Sequence, residues 1–165
     1  MYPFLHCRSF ADFQNMSQHD LDAVLAGARA LQHAARAADL PPMLKGRNIG
    51  LMIAGDGDDA LLFCRAAGDL GARVSVIRST LSVDSTAAEI QHTARVLGRL
   101  YDAVECQGIA HDLIEQLSDA AGVPVFDGMA TAQHPTARLA ERLDGETSDD
   151  NRRFVLQAVL LGSIA

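Results

Sequence analysis

Four short apolar runs, each separated from the next by turn residues and a stretch with helical spacing, decide what this chain can fold into. The first, Ile49-Gly50-Leu51-Met52-Ile53-Ala54, lies between Lys45-Gly46-Arg47 and the acidic loop Gly55-Asp56-Gly57-Asp58-Asp59. A strand with one wet face alternates apolar and polar residues, whereas a strand covered on both faces is apolar throughout. This run therefore predicts a buried strand. Val74-Ser75-Val76-Ile77, Ala103-Val104-Glu105-Cys106 and Val123-Pro124-Val125-Phe126 predict three more. Helical spacing predicts helices over residues 60–70, 86–100, 111–121 and 134–143, with Gly71 closing the first of them. Strands alternating with helices in this way predict an α/β fold: a three-layer sandwich whose four-stranded parallel sheet carries helices on both faces.

The two ends of the chain add helices of different character. Ser17 precedes Asp20 by three residues, and Leu21, Val24, Leu25, Ala28 and Leu31 then recur on one side, which predicts a capped helix over 17–39, stopped by Pro41 and Pro42. After a polar stretch at 145–150, the segment 151–164 has Phe154, Val155, Leu156, Val159, Leu160 and Leu161 around most of its circumference. Such a helix has to be buried, in its own domain or in an oligomer. With no internal repeat and no linker of domain-separating length, residues 1–165 are expected to form one domain, a core over 1–143 with helix 151–164 packed back on it.

Charge and cysteine usage exclude several classes of function. Fourteen basic residues against 21 acidic ones give a formal charge of −7, and Lys45 is the only lysine, so nucleic acid is not an expected partner. The three cysteines are odd in number and widely spaced, which speaks against a disulfide framework or a zinc site, and no metal or cofactor is expected. Cys64 and Cys106 fall within apolar patterns as small hydrophobes, and His6, His19, His33, His92 and His111 lack ligand spacing. Residues 1–10 have no apolar core of signal-peptide length and residues 154–165 are too few to cross a bilayer. A cytoplasmic protein that does not use a membrane is expected.

Several ordered phrases point to one family. Leu44-Lys45-Gly46-Arg47 opens the first strand, Leu70-Gly71-Ala72-Arg73-Val74 turns from helix to strand, and residues 93–100 lead into Tyr101-Asp102-Ala103-Val104. Val123-Pro124-Val125-Phe126-Asp127-Gly128 then runs towards His134-Pro135-Thr136. Together these resemble the N-terminal, carbamoyl-phosphate-binding domain of aspartate and ornithine carbamoyltransferases over roughly residues 10–143. The closing phrase Asp150-Asn151-Arg152-Arg153-Phe154 resembles that family's last helix, which returns from a second, amino-acid-binding domain. The resemblance implies that this second domain is absent and that an internal deletion joined the two remaining pieces.

Carbamoyl phosphate is a dianion, and holding it takes fixed positive charge together with N–H donors. The family's Ser-Thr-Arg-Thr-Arg loop falls on Asp56-Gly57-Asp58-Asp59-Ala60, its third arginine on Gln107, its mobile loop on Ser85-Thr86-Ala87-Ala88, and the glutamine after His-Pro-Thr on Ala137. At an effective dielectric of about 20, each like-charge pair about 4 Å apart costs on the order of 4 kcal/mol. Three carboxylates are enough to offset a micromolar phosphate affinity of about 8 kcal/mol. The candidate ligand-binding set is therefore Asp56, Gly57, Asp58, Asp59, Gln107, His134 and Thr136, with His134 the one candidate for a catalytic hydrogen-bond donor. For the acidic loop three readings stand: a solvated helix cap, a seat for a cation or amino group, or phosphate held by backbone groups alone. His134 is either part of that site or a fold feature bonded to nearby backbone. The resemblance implies a binding or regulatory module without carbamoyl transfer of its own; the alternative is a subunit that shares an active site with a full-length carbamoyltransferase. Self-association is expected by analogy, with a trimer first.

Overall fold

The computed structural model describes residues 10–55 and 57–164. The strands are β1 (Asn48–Ile53), β2 (Arg73–Arg78), β3 (Ala103–Gln107) and β4 (Val125–Asp127). The helices are α1 (Phe10–Gln14), α2 (Gln18–Arg36), α3 (Asp58–Asp69), α4 (Ala87–Leu100), α5 (His111–Ala121), α6 (Pro135–Ala140) and α7 (Ser148–Ile164). All strand pairs are parallel, in the order β2-β1-β3-β4, so β1 and β3 are central and Leu51 stands opposite both Val76 and Glu105.

Period-two alternation along β1 splits the interior in two. Ile49, Leu51 and Ile53 join Phe63 of α3, Leu25 and Leu31 of α2 and Phe154 of α7 in one core. Met52 joins Ile90 and Leu97 of α4 and Leu113 and Leu117 of α5 in the other. A strand that supplies both cores has no wet face, which is why β1 is apolar at every position after Asn48. The sheet with helices on both faces is thus the expected three-layer sandwich.

The start of α2 has the capping chemistry expected from its sequence, and α4 adds a cap of its own. The Ser17 side chain accepts from Asp20 N at the start of α2. Thr86 and Glu89 form a reciprocal capping box at the start of α4. Gly71, at φ +83°, turns the chain out of α3.

Several bounds differ from expectation. Helix α3 begins at Asp58 rather than residue 60, so two of the acidic residues lie inside its first turn. Strand β4 is shorter than predicted, and α2 and α6 end earlier, at Arg36 and Ala140. Helix α7 starts at Ser148, because the Thr147 hydroxyl accepts from Asp150 N and caps residues read as turn. The short α1, which carries too few periodic residues to be recognised, packs on α6. Residues 154–163 of α7 are all buried, and the helix packs on α2, α3 and α6. Among the described residues no helix is long and apolar enough to cross a membrane.

Helices α4 and α5 approach so closely that a Cβ at Gly98 would lie 1.8 Å from the Ala121 carbonyl oxygen, which is backbone and has little freedom to yield. Gly98→Ala is expected to lower stability by about 1–3 kcal/mol. Gly68→Ala, where a Cβ meets nothing within 4 Å, is expected to raise it by up to about 1 kcal/mol through helix propensity. Chemical denaturation of the two variants checks the pair; equal midpoints would contradict this packing.

Candidate functional site

A crevice of about 180 Å³ opens where the carboxyl ends of β1 and β3 part, walled by Gly55, Gly57, Asp59, Gln107, Gly108 and Thr131. The connection from β1 leaves towards β2 and the connection from β3 towards β4, so this is the topological switch point of the sheet, where open α/β folds bind ligands. Gly57 is the N-cap of α3 and contributes no side-chain hydrogen bond. The exposed Asp58 and half-buried Asp59 stand in the first turn of that helix, where negative charge meets the positive end of its dipole. Asp56 lies outside the described residues.

Beneath the crevice runs a connected set of polar groups from four elements. The Gln107 amide nitrogen donates to the Asp59 carbonyl oxygen at 3.4 Å and to Glu105 Oε1 at 3.3 Å. Glu105 Oε1 also accepts from Ala130 N at 3.2 Å. The Ala130 carbonyl oxygen accepts from Arg152 Nη2 at 2.5 Å, and the same nitrogen stands 3.4 Å from Asp59 Oδ1. Helix α3, strand β3, the loop after β4 and helix α7 are thereby tied into one ring.

Glu105 is fully buried, and its Oε2 has no partner among the described residues. Burial pushes its carboxyl up to about 8, against the pull of hydrogen bonds from Ala130, Gln107 and Met129; the charge of Asp127 pushes the same way as burial. At neutral pH it is a neutral acid, and the floor of the crevice carries no formal charge at this point.

His134 sits apart from the crevice, at the start of α6. It is 1% exposed and caps α6, with Nδ1 accepting from Thr136 N at 3.2 Å. The Phe10 and Phe13 rings of α1 stand edge-on to the imidazole, with centroids 5.3 and 4.8 Å away. Burial lowers its pKa to about 4, so the ring is neutral. The Thr136 hydroxyl donates to the Met129 carbonyl oxygen at 2.8 Å and is likewise buried. Neither side chain lines the crevice. The candidate set separates accordingly: Gly57, Asp59 and Gln107 come together at the crevice, Asp58 faces solvent beside it, and His134 with Thr136 fastens the β4–α6 turn to α1.

For a cation the geometry offers little. Asp59 already faces a guanidinium, and among the described residues no group of three or more His, Cys, Asp or Glu side chains is placed to hold a metal ion. On the opposite face of the sheet His111 Nδ1 bonds to Asp127, with Glu115 3.4 Å from Nε2; the Asp127 carboxylate raises the imidazole pKa above its usual value.

The family described as the carbamoyl-phosphate-binding domain of aspartate and ornithine carbamoyltransferases matches residues 8–144. The chain belongs to this family. A catabolic ornithine carbamoyltransferase of Burkholderia mallei is 33% identical over 159 residues, 96% of this chain and 47% of the relative. The ornithine carbamoyltransferase of Actinobacillus pleuropneumoniae serotype 5b is 36% identical over 137 residues, 82% of this chain and 41% of its own length. This carbamoyltransferase-family domain thus spans about half the length of the curated relatives it matches.

Among solved structures, the fold is shared with ornithine carbamoyltransferase from Pyrococcus furiosus, at TM-score 0.69 and 22% identity, covering 86% of this chain and 44% of that one. It is also shared with an aspartate transcarbamoylase from Trypanosoma cruzi in complex with N-(phosphonacetyl)-L-aspartic acid, at TM-score 0.64 and 23% identity, covering the same shares.

Two residues of the polar set beneath the crevice escape sequence reasoning in this carbamoyltransferase-family domain. Glu105 sits inside an apolar strand, where a lone acid among buried neighbours is itself a signal. Arg152 is one of two adjacent cations at the start of a helix that is otherwise almost wholly buried, a placement that needs partners on another element.

Proposed function

We propose that this domain does not itself carry out carbamoyl transfer and serves as a binding or regulatory module of the carbamoyltransferase family. The supporting observation is the charge of the crevice wall: the described residues that line it include the carboxylate of Asp59 and neither an arginine nor a lysine. A phosphate dianion entering there meets negative charge at the place where its affinity has to come from cationic donors. His134, capping α6 behind two phenylalanine rings, is not offered to a bound carbonyl group. The packing of α7 against α2 and α3 supports a further part of this reading, that the described residues up to 143 and the last helix form one folding unit.

Isothermal titration calorimetry with carbamoyl phosphate tests the proposal. No saturable binding is expected up to about 1 mM, which corresponds to less than about 4 kcal/mol of binding free energy. Micromolar binding, or carbamoyl transfer to an amino acid by this chain alone, would overturn it.

A further inference from the structure

Asp59 and Arg152 meet across the wall of the crevice. Arg152 comes from the first turns of α7 and is mostly buried, its side chain 18% exposed, whereas the Asp59 side chain is 39% exposed and forms part of the wall. Arg152 is held in place by Nη2, which donates to the Ala130 carbonyl oxygen at 2.5 Å. The same nitrogen is 3.4 Å from Asp59 Oδ1, and Nη1 is 3.7 Å from the largely exposed Asp149. A charge-assisted N–H···O⁻ bond is usually about 2.7–2.9 Å long, so the Asp59 contact is loose. It is a charge-neutralising approach, and among the described residues the other guanidinium nitrogens make no hydrogen bond.

Arg152 is thus fixed through one bond to backbone and neutralised by a side chain that lines the crevice. We infer that Asp59 is a built-in anion: its carboxylate occupies Arg152 in place of a small oxyanion, and opening this pair makes the crevice a seat for phosphate-type ligands. The inference rests on the reading that the intact crevice does not hold a phosphate dianion. It adds a cause for this. With the carboxylate removed, Arg152 presents its free N–H groups towards the space beside the Gln107 amide, and one repelling charge is lost at the same time.

The test is calorimetric titration with inorganic phosphate at constant ionic strength and pH 7.5, on the full chain and its variants. Asp59→Ala is expected to bind phosphate about tenfold more tightly than wild type, or better. Asp59→Ala combined with Arg152→Gln is expected to fall back to the wild-type level. Asp58→Ala removes the same charge from the same helical turn but not from Arg152, and is expected to change binding less than about threefold. Should Asp59→Ala fail to fold by circular dichroism, Asp59→Asn takes its place with the same expectation.

The inference is overturned if the Asp59 variant binds no more tightly than wild type, if Asp58→Ala matches its gain, or if the gain survives loss of Arg152. Tight phosphate binding by wild type would defeat the proposed function as well. Weak wild-type binding with no gain in the variant would defeat this inference alone.

Discussion

Replacing Glu105 by glutamine is expected to make the protein more stable at neutral pH, by about 3 kcal/mol at pH 7. The ordinary Glu value is 4.5, and burial raises the folded-state value to about 8. Between these two values the folded protein keeps a proton that the unfolded chain has released. Stability contributed by that proton is therefore fully present below the unfolded pKa and is lost as pH rises through the folded one. The slope is about 1.4 kcal/mol per pH unit. Glutamine has the shape of the protonated acid, and its carbonyl oxygen can accept from Ala130 N and Gln107 as Glu105 Oε1 does. It cannot ionise, so the variant escapes the loss. Urea midpoints at pH 5, 6, 7 and 8 should diverge, the two proteins being close at pH 5 and well separated at pH 8. Taking the difference between them cancels the histidines, which titrate in the same range in both. Curves that stay parallel would mean that Glu105 is ionised in the folded state. The crevice floor would then carry an extra negative charge.

How far the fold was legible follows from where each residue's partners lie. Strand β1 has five buried residues in a row and sits between two cores, so its sequence alone marks it. Strand β2 is at the edge, with Val76 57% exposed, yet its β-branched residues mark it as well. The cap at Ser17 depends on a partner three residues away and is equally plain, whereas the Thr86–Glu89 box, of the same spacing, is a feature that only the structure brings out.

What the sequence leaves hidden sits where a distant element decides. Residues 58 and 59 read as loop because Asp and Gly favour turns, but the dipole at the start of α3 accepts two acids in its first turn. His134 keeps its motif, while α1, a five-residue helix, supplies the rings that cover it. Arg152 reaches Asp59 across 93 residues of chain. No local pattern carries that distance. The acidic turn is readable as a change of sign, but its pairing with Arg152 exists only in the folded molecule.

Phe154→Ala is expected to cost about 3–5 kcal/mol and to lower Tm by roughly 10 °C in a chain of this size. Phe154 is 2% exposed, belongs to the core shared by α2, α3 and β1, and carries the Arg153 guanidinium 4.5 Å above its ring. Arg153 in turn bonds to Asp69 at the end of α3. Truncation therefore leaves a cavity and loosens an ion pair in the same place. Helix α7 is also tied by buried amides: Gln32 donates to Asn151 at 2.8 Å, Asn151 to the Leu143 carbonyl oxygen at 2.9 Å, and Gln157 to the Ala66 carbonyl oxygen at 3.2 Å. A helix anchored through packing and through such bonds should melt together with the sheet, so one cooperative transition is expected in the variant as in wild type. Hydrogen exchange provides the sharper measurement, because amides of α7 and of β1 should lose protection by the same amount. If only the α7 amides exchanged faster while the melting midpoint stayed within a degree, α7 would be an appendage. Arg152 would then leave the crevice with every local opening, and Asp59 would have no fixed partner to neutralise.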